Sequence, residues 1–420
     1  KFWRQRLEIM LFNSIAFICV FLPVIFILYY LLPGKIKDIA LVAGGAVFFA
    51  WGAPVNLVVL AFFILFNYAV GIQMEGYMRR RRSTEQLFAG SILINIIVYV
   101  FFAFIGQRVG FISEVPVGIG ICILQVLSYL IEIHRGNVKA QKSILDFAVY
   151  IAMFPLFLAG PVVKYPQIRK ELKTRKLSWA KAGEGIALFV CGFAKKVIIA
   201  DYLADSFTKI MSLKAGELSV FGAWLGCATF MFQIYFAFSG YCDMATGLGY
   251  LFNIRIPMNF NSPYKATSVV DFWKRWHLTL TRFLRTYVYF PLGGSRKGEK
   301  RTYLNILVVF LVSGLWHGAN WTFIFWGFLH GIGNALTRMF QKQWEHLHTV
   351  IQWGFTFLFV NLTWIFFRAD SISQAWQFVK RIFGLKSFSV RTGLLNTFGL
   401  KELQFVYRHV PVVNRLIASI

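Results

Sequence analysis

Seven histidines are the residues of this chain best suited to chemistry near neutral pH: His134, His277, His317, His330, His346, His348 and His409. A neutral imidazole in a low-dielectric cavity can take a proton from a hydroxyl, as acyl transfer to that hydroxyl requires. Their settings differ. His346 and His348 lie in a polar loop, His134 at a helix end and His409 in the tail, where a histidine is ordinarily just solvated. His317 sits in TYLNILVVFLVSGLWHGANWTFIFWGFLHG, Thr302–Gly331. A helix entering near Tyr303 rises about 1.5 Å per residue and carries His317 about 20 Å along, to membrane depth. Gly318-Ala319-Asn320 predict a break there, with Asn320 capping the next helix. An ionisable residue at that depth is a functional candidate; the alternative is a structural histidine bridging helices. His330, between Leu329 and Gly331, reads as a packing histidine.

His277 belongs to DFWKRWHLTLTRFLRTYVYF, Asp271–Phe290. At about 100° per residue, Asp271, Lys274, Arg275, Arg282 and Arg285 fall in one stripe. Trp273, Trp276, Leu280, Phe283, Leu284 and Tyr287 take the other side, and His277 goes with them. The pattern predicts a basic amphipathic helix at the membrane surface. Its histidine either faces an internal site or merely anchors the helix at the interface.

Little else competes for the chemistry. Asp201, Asp205 and Asp243 lie near segment ends, and too few ligands group together for a metal site. There is no G-x-S-x-G elbow and no glycine-rich phosphate loop. We therefore expect neither a metal nor a tightly bound cofactor.

The elements that must position these histidines are membrane helices. Of 420 residues, 57% are hydrophobic, 18% aromatic and only 15% charged, with mean hydropathy +0.60. A soluble domain carries about a quarter charged residues. A soluble enzyme, a disordered chain and a secreted disulfide scaffold are thereby excluded. The 44 Lys+Arg against 18 Asp+Glu give a net charge of +26. In a membrane protein that excess marks basic cytoplasmic loops near anionic lipid, and we expect no nucleic-acid partner. The five cysteines, Cys19, Cys122, Cys191, Cys227 and Cys242, form no C-x-x-C motif.

Apolar runs at 10–32, 39–51, 54–74, 87–106, 116–133, 183–202, 218–240, 303–317, 321–337 and 350–367 predict spans. Basic residues alternate in side between them. Lys35, Lys37, Arg79–Arg82, Arg135, Lys139 and Lys142 are assigned to the cytoplasm, which puts the start of the first span outside. Asp146–Val163 is apolar but holds Pro155, Gly160 and Pro161, and both its flanks are basic. It is either a broken re-entrant segment or a proline-kinked span. Asp243–Arg301 lacks an uninterrupted apolar run of spanning length and reads as interfacial. Residues 1–9 read as a tag remnant or overlong start, 10–370 as one membrane domain and 371–420 as a tail. The fold class is all-α: a polytopic helix bundle of about ten to twelve segments, some re-entrant or interfacial.

Four stretches carry a resemblance: MLFNSIAFICVFLPVIFILYYLLP, FPLFLAGPVVKYPQI, the long FSGYCDMATGLGYLFNIRIPMNFNSPYKATSVVDFWKRWHLTLTRFLRTYVYFPLGGSRKG, and LVSGLWHGANWTFIFWGFLHG. The chain resembles the membrane-bound O-acyltransferase (MBOAT) family, in its bacterial alginate O-acetylation (AlgI) branch. The resemblance implies a tunnel through the membrane. It also implies an essential histidine in LWHG, here His317, and a second in RWH, here His277. The flanking Trp273, Arg275, Trp276, Trp316 and Asn320 become substrate-binding candidates.

The implied activity moves acetyl from cytoplasmic acetyl-CoA toward an exported or cell-surface polysaccharide. It is carried out in the bacterial cell membrane with an extracytoplasmic partner protein. D-alanyl or other acyl transfer from a carrier-protein thioester is the alternative, because that branch shares the RWH and WHG cores. The C-terminus departs from the pattern, with no evident last helix, so the tail reads as truncated. A glycan transporter or channel is the rival from another class, but paired broken helices and intramembrane coupling acids are not evident. The donor is expected to dock near Lys274–Arg301, where Arg296, Lys297, Lys300 and Arg301 supply charge for its phosphates.

Overall fold

A computed structural model describes residues 10–51, 53–112, 115–211 and 219–384. The expectations for residues 1–9 and for the end of the tail lie outside those residues. The described chain is helical, with no strand among the described residues.

In chain order the helices are α1 (Leu22–Leu31), α2 (Ile36–Ala50), α3 (Asn56–Arg79), α4 (Glu85–Val100), α5 (Ile119–His134), α6 (Ile144–Ile151), α7 (Tyr165–Thr174), α8 (Trp179–Ala194) and α9 (Asp201–Met211). They continue as α10 (Val220–Leu251), α11 (Val269–Trp273), α12 (Leu278–Leu284), α13 (Glu299–His317), α14 (Trp321–Met339), α15 (Gln341–Glu345), α16 (Thr349–Arg368) and α17 (Ile372–Ile382). Single π-helical turns precede α1 and follow α4, α8 and α12.

Among the described residues, four stretches are long and apolar enough to cross a membrane: Asn56–Arg79, Glu85–Ile105, Val220–Leu251 and Thr349–Arg368. Their outward faces fit a lipid environment. Val58 is 67% exposed and Ile97 56%, which water would penalise and lipid would not. Polar groups turn inward. Asn67 of α3 and Asn95 of α4, both fully buried, exchange amide hydrogen bonds at 3.0 and 2.8 Å. Such a pair ties two apolar helices together where hydrophobicity alone supplies no attraction between them.

The described residues group into two units. One runs up to Ala194 and adds Phe238–Pro263 and Trp273–Val309; the other holds Lys195–Ala237, Tyr264–Phe272 and residues from Phe310 onward.

In the first unit Phe154 is enclosed by Phe21 at 5.2 Å and Phe48 at 5.9 Å, between α1 and α2. Phe154 lies in the apolar segment whose form the sequence left open. Its helix ends at Ile151, a 3-10 turn covers Phe154–Leu156, a further turn follows over 157–159, and the chain is irregular from Gly160 to α7. A continuous kinked helix is therefore not what forms. The freed backbone groups find protein partners: Val162 N–H donates to Thr279 Oγ1 (2.8 Å), and the Val163 carbonyl accepts from Tyr150 Oη (3.1 Å). Irregular backbone at membrane depth persists only when it is satisfied in this way.

Two expectations need correction. The span placed at 218–240 does not stop there, because α10 continues to Leu251 through Asp243, Ala245, Gly247 and Gly249. Those small residues lower the hydropathy of the stretch but let α8 approach. A Cβ on Gly247 would sit 2.5 Å from the Gly185 carbonyl oxygen, and one on Gly192 2.5 Å from that of Gly240. Asp271–Phe290 is also not one amphipathic helix. α11 ends at Trp273, and His277 has φ 45° and ψ 52°, a left-handed residue that starts α12 in a new direction. The single stripe of basic residues is thereby broken.

In the second unit α13 and α14 cross closely at glycines. A Cβ on Gly314 would lie 2.4 Å from the Phe323 carbonyl oxygen, and one on Gly327 2.4 Å from that of Phe310. The tail carries a further short helix, α17, whose buried face is Ala375, Phe378 and Ile382.

Candidate active site

His317 is the last residue of α13. The break after it forms as the sequence predicts. Asn320 caps α14 by accepting from Thr322 N–H (3.2 Å), and its Nδ2 donates to the Asp370 carbonyl just beyond α16 (3.0 Å). The turn is thus held at both ends. The imidazole lies among aromatic rings: Trp316 at 4.9 Å, Phe367 at 5.3 Å, Trp326 at 5.5 Å and Phe323 at 6.4 Å between centroids. The residue is partly exposed.

His330 contrasts with it. It is fully buried and hydrogen-bonds Thr363 Oγ1 through Nε2 (2.9 Å), between α14 and α16. That is the packing role expected of it.

His277 is 3% exposed. Its Nδ1 lies 3.1 Å from Nδ2 and 3.2 Å from Oδ1 of Asn259, and Phe238 packs edge-on at 4.8 Å. Asn259 organises the surroundings. Its Oδ1 accepts from Thr279 N–H (3.1 Å) and Thr279 Oγ1 (2.8 Å), and its Nδ2 reaches Cys242 Sγ (3.2 Å). Cys242 in turn donates to the Ala159 carbonyl (3.0 Å). A relay of hydrogen bonds therefore runs from Ala159 through Cys242 and Asn259 to His277. This is an internal position, which removes the reading of His277 as an interfacial anchor.

The remaining sequence candidates separate. Trp273 and Trp276 are buried, at 7% and 3%, and Trp276 packs on Phe260 at 5.0 Å. The Arg275 carbonyl accepts from Asn261 N–H (2.9 Å) and braces the same loop. Trp316 is half-exposed beside His317 and Asn320 is exposed, so these two border reachable surface. Asn259 and Thr279 were missed. The signal available for them was only their place within the long motif.

Comparison with known proteins bears directly on this arrangement. Residues 134–370, more than half the chain, match MBOAT, the membrane-bound O-acyltransferase family. The chain belongs to the membrane-bound O-acyltransferase family. The match includes both His277 and His317. The probable alginate O-acetylase AlgI of Azotobacter vinelandii is 34% identical, across 94% of this chain and 82% of that protein. The peptidoglycan O-acetyltransferase of Helicobacter pylori is 35% identical, across 92% and 82%. The teichoic acid D-alanyltransferase of Bacillus subtilis is 25% identical, across 75% and 88%. As a family member this protein is a multi-pass membrane O-acyltransferase.

Proposed function

We propose that this O-acyltransferase moves acetyl groups from a cytoplasmic thioester, acetyl-CoA, to hydroxyls of an exported or cell-surface polysaccharide. The observation that carries the reading is the similarity, over more than nine-tenths of the chain, to an alginate and a peptidoglycan O-acetylase. The protein works in the bacterial inner membrane and hands its acetyl group on with an extracytoplasmic partner.

His317 acts as general base. It takes the proton of the acceptor hydroxyl as that oxygen attacks the thioester carbonyl. The C–O bond forms, the C–S bond breaks, and the departing thiolate receives the proton. His277, oriented by Asn259, assists by positioning the donor or by hydrogen-bonding the developing oxyanion. Trp316 and Asn320 border the acceptor's approach.

A second reading, acyl transfer from a carrier-protein thioester, is favoured by the similarity to a teichoic acid D-alanyltransferase. Purified protein incubated with radiolabelled acetyl-CoA and candidate glycans distinguishes the two. Thioester consumption with label on the glycan supports acetylation. No consumption of acetyl-CoA, with turnover of an acylated carrier protein, supports the second reading and overturns the first.

A further inference from the structure

Two cations lie over the Tyr287 ring, and a third is close to one of them. Lys164 Nζ lies 5.2 Å from the Tyr287 ring centroid and the Arg135 guanidinium 5.5 Å from it. Arg282 is near enough to act electrostatically on Lys164, as is Arg135. Lys164 Nζ is held by Thr286 Oγ1 (2.8 Å), which donates to the Arg282 carbonyl (2.8 Å). The ammonium keeps further donors for a ligand.

The one acid among them is Glu132, and its oxygens are already used. Oε1 accepts from Tyr287 Oη (2.8 Å) and Oε2 from Asn137 Nδ2 (2.8 Å). Among the described residues no carboxylate lies within ion-pair distance of Arg135, Lys164 or Arg282. Three cations against one occupied carboxylate leave an excess of positive charge at a half-buried lysine. Arg135 and Arg282 are exposed and Lys164 is half-buried, and Lys164 is held in place by the Tyr287 ring and Thr286. Arg135 and Lys164 flank segments whose basic residues the sequence assigns to the cytoplasmic side. That is the side from which the proposed donor arrives.

We propose that Arg135, Lys164 and Arg282 form a phosphate-binding recess around Tyr287 that holds the phosphates of the acyl donor. The recess rests on the acyltransferase reading above and adds a subsite to it. Its ligand class is a phosphopantetheine thioester, and CoA carries the most phosphates of that class. Guanidinium and ammonium groups suit these oxygens through charge-assisted hydrogen bonds. Anionic lipid headgroups offer the same chemistry, so the test must separate the two sources.

Full-length protein purified in detergent is assayed with acetyl-CoA, S-acetyl-4′-phosphopantetheine and S-acetylpantetheine, which carry successively fewer phosphates. Lys164→Gln and Arg282→Gln should each raise the KM for acetyl-CoA roughly tenfold, the cost of one charge-assisted hydrogen bond. S-acetylpantetheine, with no phosphate to lose, should show no comparable shift. Lys164→Arg should recover part of the loss, and exposed Lys342→Gln should have no effect. Arg282 is exposed, so its variant tests the recess even if Lys164→Gln misfolds.

Monodisperse variants with the parent KM for acetyl-CoA would overturn the recess, as would equal shifts for all three donors. Shifts that appear only in phosphatidylglycerol nanodiscs, and not in detergent, would assign the cations to lipid and overturn it too. A failed recess leaves acetyl transfer by the parent intact. A parent that consumes no thioester overturns the acyltransferase reading and the recess together.

Discussion

Thr279 Oγ1 donates to Asn259 Oδ1 at 2.8 Å and accepts from Val162 N–H at the same distance. One hydroxyl thereby joins the irregular segment after α6 to the loop that pins His277. The position of His277 depends on that junction and on its left-handed backbone, φ 45°. A non-glycine residue pays about 1–2 kcal/mol for this conformation.

His277→Gly should therefore keep the fold, since glycine adopts φ 45° freely, and should remove only the imidazole. We expect a thermal midpoint near the parent's and acetyl transfer reduced at least tenfold. His277→Ala should be less stable than His277→Gly, because alanine retains the backbone cost. Thermal scans in detergent beside transfer rates check both. A glycine variant with parent activity would remove His277 from the mechanism.

The α13–α14 crossing sets the place of His317 through its glycines. Gly314→Ala would drive a methyl to 2.4 Å from the Phe323 carbonyl oxygen and should cost about 1–3 kcal/mol. Gly354→Ala in α16 meets nothing within 4 Å and should gain about 0.5–1 kcal/mol in helix preference. Denaturation midpoints in opposite directions are expected, and a Gly314→Ala midpoint at or above the parent's contradicts the close crossing.

Burial lowers the pKa of Lys164 below the usual lysine range; Glu132 opposes this, while Arg282 and Arg135 lower it further. The charged form is the low-pH form. Donor affinity through Lys164 should hold at low pH and fall as pH rises, earlier than an ordinary lysine would lose it. The KM for acetyl-CoA should climb through this alkaline range in the parent and stay flatter in Lys164→Arg, because arginine remains protonated. Superimposable pH profiles would show that Lys164 does not carry donor affinity.

Arg79–Arg82 close α3 and should face the cytoplasm. A cysteine at position 81 should resist impermeant maleimide in intact cells and react after permeabilisation. Strong labelling before permeabilisation would invert the topology.

The two histidine sites were legible to different degrees. The break after His317 could be read because Gly318-Ala319-Asn320 is a local signal, and Asn320 caps α14 as those residues predict. The left-handed turn at His277 could not be read. Aromatic and basic residues keep a 3.6-residue rhythm across Trp276 and His277, and what breaks the helix is Asn259, far off in the chain. α10 was cut short for the opposite reason. Its small residues weaken the apolar signal and are there because α8 packs against them. Arg135 and Lys164 meet Tyr287 only in three dimensions, so charge along the chain gave the Lys274–Arg301 region without them.

The most direct measurement is the rate of acetyl transfer by purified His317→Ala. General-base catalysis contributes roughly 10²–10⁴-fold, so turnover should fall by at least about 100-fold. The variant should remain monodisperse, because His317 is partly exposed at the end of α13. His346→Ala, in an exposed position after α15, should transfer acetyl at the parent rate. A monodisperse His317→Ala that still acetylates its acceptor at close to the parent rate would contradict the proposed mechanism.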